Sequence, residues 1–99
     1  MLCAHTVRQL KPGTFEQFAE RFGPPEDPPD GWVRFTMLRG IQNPDQVITF
    51  GYFDGTLDEM NANQDTQGYD EMIAAVAPLV EAVLVNGVYE IAEERTLDD

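Results

Sequence analysis

The spacing of polar and apolar residues changes several times along this chain, and each change marks an element. "LCAHTVRQL" at 2–10 is rich in β-compatible residues and runs into "KPG", a turn signal, which predicts a first strand. Phe15, Phe18, Ala19 and Phe22 then recur at i, i+3, i+4 and i+7, the stripe of one helical face. Thr14 and Gln17 have the spacing of a capping box for that helix, and Pro12 suits a first helical turn equally well. "GPPEDPPDG" at 23–31 stops the helix with four of the seven prolines. Proline lacks the amide donor and restricts the residue before it, so this stretch reads as a stiff, extended connector. Its PxxP spacing copies a recognition motif, but the acidic residues inside it favour a plain connection.

"WVRFTMLRG" at 32–40 alternates Val33, Phe35 and Met37 against Trp32, Arg34, Thr36 and Leu38, the period of a second strand. "IQNPDQ" sets Asn43 and Asp45 around Pro44, as a type I turn prefers. "VITFGYFD" at 47–54 is the third strand and completes a hairpin. "DGTLDEM" opens a second helix with Thr56 and Glu59 at capping-box spacing. Gly68 interrupts it, the stripe resumes as Tyr69, Met72, Ile73, Val76 and Val80, and Pro78 ends or bends it near Ala77. "EAVLVNGVYEIAEE" is the last strand, with Asn86-Gly87 as a tight turn or a bulge, and "RTLDD" is a frayed tail. There is no internal repeat.

The order β-α-β-β-α-β suits an α+β fold of ferredoxin-like type. Residues 1–99 form one domain, a four-stranded antiparallel sheet with two helices on one face. Two helices cover only one face. The third strand carries Val47, Thr49, Gly51 and Phe53 on one side and Ile48, Phe50, Tyr52 and Asp54 on the other, and neither side is polar. A bare patch of several hundred Å² exceeds what soluble monomers usually expose, and its burial contributes roughly 25 cal/mol per Å². A second copy laid sheet to sheet is the expected cover, making a homodimer.

Charge opposes that pairing without forbidding it. Eighteen carboxylates face six basic groups, a net −12 at pH 7, but repulsion between surface charges is screened over about 10 Å, so association should strengthen with salt. The same field excludes nucleic acid and anionic membranes as partners. Lys11 is the only lysine, a bias that fits solubility and composition. Cys3 is alone, which excludes an internal disulfide and suits a reducing compartment. The start lacks the apolar stretch of a signal peptide, and "MIAAVAPLV" is far too short for a membrane span, so a cytoplasmic location is expected.

"KPGTFEQF" after the first strand, "NPD" in the central hairpin and "GYFDGTLDEM" leading into the second helix resemble the antibiotic biosynthesis monooxygenase-like domains of the dimeric α+β barrel superfamily. The likeness spans nearly the whole chain and rests on turns and helix starts. It implies a dimeric α/β barrel of two sheets with a pocket between sheet and helices in each subunit. In some members that pocket oxygenates substrates without metal or flavin; others degrade haem, isomerise or cyclise. The haem-degrading members use an asparagine, a tryptophan and a histidine on the second helix. Helix two here has no histidine, which argues against haem chemistry.

Several side chains are candidates for chemistry. His5, the only histidine, is a candidate base for a phenolic substrate, whose anion would then pass an electron to oxygen; the plainer alternative is a hydrogen-bonded histidine in a buried or interface strand. Tyr52 would donate a hydrogen bond to a substrate oxygen, or bond a backbone carbonyl. Arg34 would steady a substrate anion, or pair with one of the many acids. Trp32, Phe50, Tyr69 and Met72 are candidates to line a flat pocket, with plain core as their alternative. Asn61 and Asn63 either contact ligand or face water. One histidine and one cysteine do not make a zinc site, and no cofactor motif is present. The functional expectation is a cofactor-independent monooxygenase-like protein acting on a small phenolic or polycyclic metabolite. The alternatives are a non-catalytic ligand-binding or accessory dimer, or a cyclase or isomerase using the same pocket.

Overall fold

A computed structural model describes residues 1–23, 30–64 and 67–97, with side chains omitted at 63, 64, 67 and 68. The proline-rich stretch 24–29 and the side chain of Asn63 therefore lie outside the described residues. The elements are β1 (Leu2–Leu10), α1 (Phe15–Arg21), β2 (Trp32–Arg39), β3 (Gln46–Phe53), α2 (Leu57–Gln64), α3 (Gln67–Val76) and β4 (Val80–Glu90), with a 3₁₀ turn over Ala77–Leu79. The strands form one sheet in the order β2-β3-β1-β4, antiparallel throughout. This is the ferredoxin-like arrangement that the element order predicts.

Strand parity assigns the faces. Val47, Thr49, Gly51 and Phe53 of β3 are buried on the helix side, together with Arg8 and Leu10 of β1. Leu10, Phe18, Val47, Val76 and Leu79 form the core, with Phe15, Phe22, Met37 and Val80 packed against it. Alternation therefore joins the sheet to the phenylalanine stripe of α1 and to the end of α3. The strand ends are tied by Leu10 N–H to the Asp45 carbonyl at 2.7 Å and Lys11 N–H to the Leu79 carbonyl at 2.8 Å. Gln46 N–H donates to the Asn43 carbonyl at 3.0 Å across Pro44, which closes the expected hairpin turn.

Helix starts divide. At α2 the expected capping box forms: Thr56 N–H donates to Glu59 Oε1 at 2.9 Å, and Glu59 N–H to Thr56 Oγ1 at 3.2 Å. At α1 it does not. Thr14 Oγ1 donates instead to the Lys11 carbonyl at 2.8 Å, so the hydroxyl closes the "KPG" turn and caps no helical amide. Gly13 there takes φ 77°, a conformation glycine adopts without steric cost.

Two strands depart from simple alternation. A register shift between Trp32 and Arg34 leaves Val33 as an extra residue, so Trp32 pairs with Phe53 and joins the helix side. In β4 the shifts fall opposite Val7/Arg8 and Gln9/Leu10, which makes Leu84 and Glu81 the extra residues. Asn86 and Gly87 are neither a hairpin turn nor a bulge, because they pair regularly with Thr6 and His5. β4 also ends at Glu90, short of the expected "IAEE" extension. Among the described residues, no helix is long and apolar enough to cross a membrane.

Candidate functional site

The sheet separates two surfaces. On the face away from the helices, His5 of β1 lies opposite Phe50 of β3 and Gly87 of β4. Its ring stacks near Phe50 (centroids 6.2 Å, 27° between planes) and meets Tyr89 edge-on at 6.0 Å. Phe50 continues to Tyr52 at 5.9 Å, and the Arg34 guanidinium stands 5.6 Å from the Tyr52 ring centre. Leu38, Val85 and Tyr89 on this face are 45%, 38% and 51% exposed. The result is an aromatic and aliphatic surface on the face away from the helices of the described residues. Cys3 lies on it too, and partial burial raises its thiol above the ordinary cysteine value.

On the other side, a groove of about 510 Å³ opens between α3 and β4, a size typical of small-molecule sites. Ile73 and Val76 of α3 face Val80 and Val83 of β4 across it. The bulges at Glu81 and Leu84 adjust the strand here; without them, simple parity would send Val83 to the opposite face. Tyr69, Asp70, Glu81 and Asn86 add polar groups, and Arg8 of β1 lines the groove as well.

Arg8 is an unusual resident. It is only 7% exposed, in a row with Leu10 on the helix side. Its Nη1 donates to Thr49 Oγ1 at 3.1 Å, and Thr49 is itself 4% exposed. The guanidinium lies 4.7 Å from the Phe22 ring centre and 5.6 Å from that of Phe18. Those two rings stack on each other at 5.1 Å. Burial pushes the Arg8 guanidinium below the ordinary arginine value, with Tyr69 acting the other way. The two ion pairs found among the described residues, Arg39–Glu16 and Arg95–Glu93, do not involve it.

The sequence-expected residues are thus divided. His5, Tyr52, Arg34 and Phe50 are brought together, but on the open face, across the sheet from the groove. Trp32 lies on the helix side, edge-to-face with Phe53 at 5.0 Å and over Gly51. Tyr69 lines the groove. Met72 Sδ accepts the Gly23 N–H at 3.3 Å, at the junction of α3 with the end of α1. Asn61 is exposed on α2. Sequence reasoning missed Arg8; its signal was a charged residue at the parity of Ala4 and Leu10. Among the described residues, no three His, Cys, Asp or Glu side chains gather as a metal set.

A four-stranded antiparallel sheet with helices on one face defines the α+β ferredoxin-like class. Solved structures place the chain more closely. It matches a protein from Chloroflexus aurantiacus, provisionally named an antibiotic biosynthesis monooxygenase, at TM-score 0.79 over 98% of each chain, with 12% identity. A Deinococcus radiodurans protein with the same provisional name matches over 100% of both chains at TM-score 0.72 and 17% identity. The Mycobacterium tuberculosis protein Rv0793 matches at TM-score 0.73 and 12% identity, over 96% of this chain and 98% of its own. At these identities the likeness establishes a shared antibiotic biosynthesis monooxygenase-like fold. No protein-family model and no curated protein matches the sequence.

Proposed function

We propose that this chain is a homodimeric, cofactor-free monooxygenase-like protein whose substrate, a small phenolic or polycyclic metabolite, lies in the groove between α3 and β4. The observation that carries the reading is the groove itself. It has the volume for a small flat molecule and aliphatic walls, and it sits in a fold shared with provisionally named monooxygenases. The second copy covers the open face. Stacked sheets pack about 10 Å apart, which leaves room for interdigitating side chains and none for a polycyclic ring. His5, Tyr52 and Arg34 then belong to the dimer interface, and the substrate contacts come from the helix side.

The reaction would oxidise a substrate methylene to a carbonyl with molecular oxygen. One oxygen atom enters the product, the other leaves as water, and the substrate anion supplies the electrons. The test is to incubate the protein with anthrone-type substrates under oxygen, with chelator present. Oxygen uptake with a product gaining one oxygen atom and losing two hydrogens is expected. A bound but unaltered substrate, with no oxygen consumed, would instead support a non-catalytic binding protein. That second reading draws on one observation: the only histidine lies across the sheet from the groove. A product of unchanged mass would indicate a cyclase or isomerase.

A further inference from the structure

The groove is lined by a buried cation, Arg8, which makes one hydrogen bond among the described residues. A guanidinium has five N–H donors in a rigid plane. Among the described residues one hydrogen bond from Arg8 is found, to Thr49 Oγ1, and Tyr69 of the same groove also acts on its charge. Phe22 and Phe18 occupy ring-stacking positions and accept no in-plane bond. Arg8 lines the groove, and among the described residues no side-chain nitrogen or oxygen sealed from solvent lacks a partner. The chain has eighteen carboxylates, yet none among the described residues pairs with this cation.

We infer that the groove binds a flat apolar monoanion, and that Arg8 receives its carboxylate on the free edge of the guanidinium. The inference rests on the reading of the groove as the ligand site and names the ligand's chemical class. Geometry supports it at three points. The planar fork of arginine matches a carboxylate in two parallel hydrogen bonds, which lysine cannot reproduce. Ile73, Val76, Val80 and Val83 provide an aliphatic bed for the body of the ligand beside the charge. Asp70 and Glu81 line the same groove and would repel a second negative charge, so a single charge is selected.

The experiment titrates the wild-type protein by calorimetry with naphthoate, with its neutral isostere naphthamide and with naphthyl phosphate, a dianion. Amide chemical shifts locate the bound probe. Naphthoate is expected to bind at least tenfold tighter than naphthamide, to exceed naphthyl phosphate, and to shift amides of α3 and β4. In Arg8→Met the preference for acid over amide should fall below twofold. Arg8→Lys should keep only part of it, because the charge remains and the fork is lost. Equal binding of acid and amide by the wild type would overturn the inference and leave the groove reading standing. So would naphthoate shifts confined to the open face. Failure of all three probes to bind a folded protein would overturn both. The wild-type comparison decides the matter even if Arg8→Met does not fold.

Discussion

The Arg8–Thr49 contact allows a quantitative test of why a cation is buried here. Removing a guanidinium from water costs several kcal/mol. Two ring contacts return about 0.5–2 kcal/mol each and the hydrogen bond to Thr49 about 1.5–3 kcal/mol, so the gains are of the same size as the penalty. Arg8→Met should therefore change stability by only about 1 kcal/mol, mainly through the orphaned Thr49 hydroxyl. Thr49→Val removes the one acceptor while the charge stays buried, and should cost about 1.5–3 kcal/mol. The double variant should be no less stable than Arg8→Met, because both polar groups leave together. A double-mutant cycle would then give a coupling of about 1.5–3 kcal/mol. In urea this moves the Thr49→Val midpoint by roughly 1 M, for a slope of about 1–3 kcal/mol per M. Protein concentration must be held fixed, since association adds to apparent stability. Additive losses, with coupling under about 0.5 kcal/mol, would refute the reasoning: the guanidinium would then be solvated and free to ignore Thr49.

Three further outcomes follow from other parts of the fold. Phe50→Asp places a charge in the middle of the open face and should turn a dimer into a monomer in sedimentation equilibrium; a wild-type protein that sediments as a folded monomer at micromolar concentration, in low and high salt, would remove the proposed interface. Gly51→Ala puts a methyl 2.9 Å from Trp32 Cζ3, so the indole must tilt; a loss of about 1–3 kcal/mol is expected with a changed near-ultraviolet signal from the only tryptophan, and an unchanged signal would contradict the packing. Glu59 is held below the ordinary carboxylate range, first by the Thr56 backbone amide and then by the Thr56 side chain. A depressed folded value contributes stability above the unfolded value and loses it as pH falls through the folded one. Glu59→Gln should thus differ from wild type near neutrality and converge with it in acid, and parallel pH curves would exclude the role.

The fold was legible where a pattern has one physical cause. Alternation in β3 divides its residues into the two faces read from the sequence, and the helix wall makes Val47, Thr49, Gly51 and Phe53 the inner one. The Thr56–Glu59 box closes in both directions, as its spacing predicts. Where a local competitor exists, sequence spacing misleads: Thr14 has the Lys11 carbonyl within reach and turns to it. Bulges are a second blind spot. One extra residue at Val33 inverts the strand end and carries Trp32 to the helix side, although the alternation of 32–38 gives no sign of it. In β4 the run "VEAVLV" is nearly all apolar, so periodicity cannot locate its bulges, and Asn86-Gly87 attracted the turn assignment because their composition suits one. Asn86 in fact accepts a long 3.4 Å hydrogen bond from Thr6 Oγ1 within the ladder. The candidate site suffered most, since His5 and Arg8 differ by one in parity and so face opposite ways across the sheet. Their residue types suggest chemistry equally; only the register against β3 separates them.

The arginines tie the two surfaces together. Arg39 shows a complete arrangement: its guanidinium stands 4.4 Å from the Phe15 ring centre, Nε donates to the Pro44 carbonyl at 3.0 Å, and Nη1 lies 3.6 Å from Glu16. Face and edge are both used. Arg34 and Arg8 have the ring half of that arrangement, over Tyr52 and over Phe22, with the edge largely unmet among the described residues. An exposed edge is satisfied by water at little cost, so Arg34 needs no partner while its face is bare. Once a second sheet stacks on that face, its donors must find acceptors across the interface or the desolvation penalty opposes association. Arg8 is already largely buried, and the proposed anion would meet the edge that its partners among the described residues leave. The same ring-stacked geometry thus occurs on both proposed surfaces, the open face for a twin and the groove for an acid.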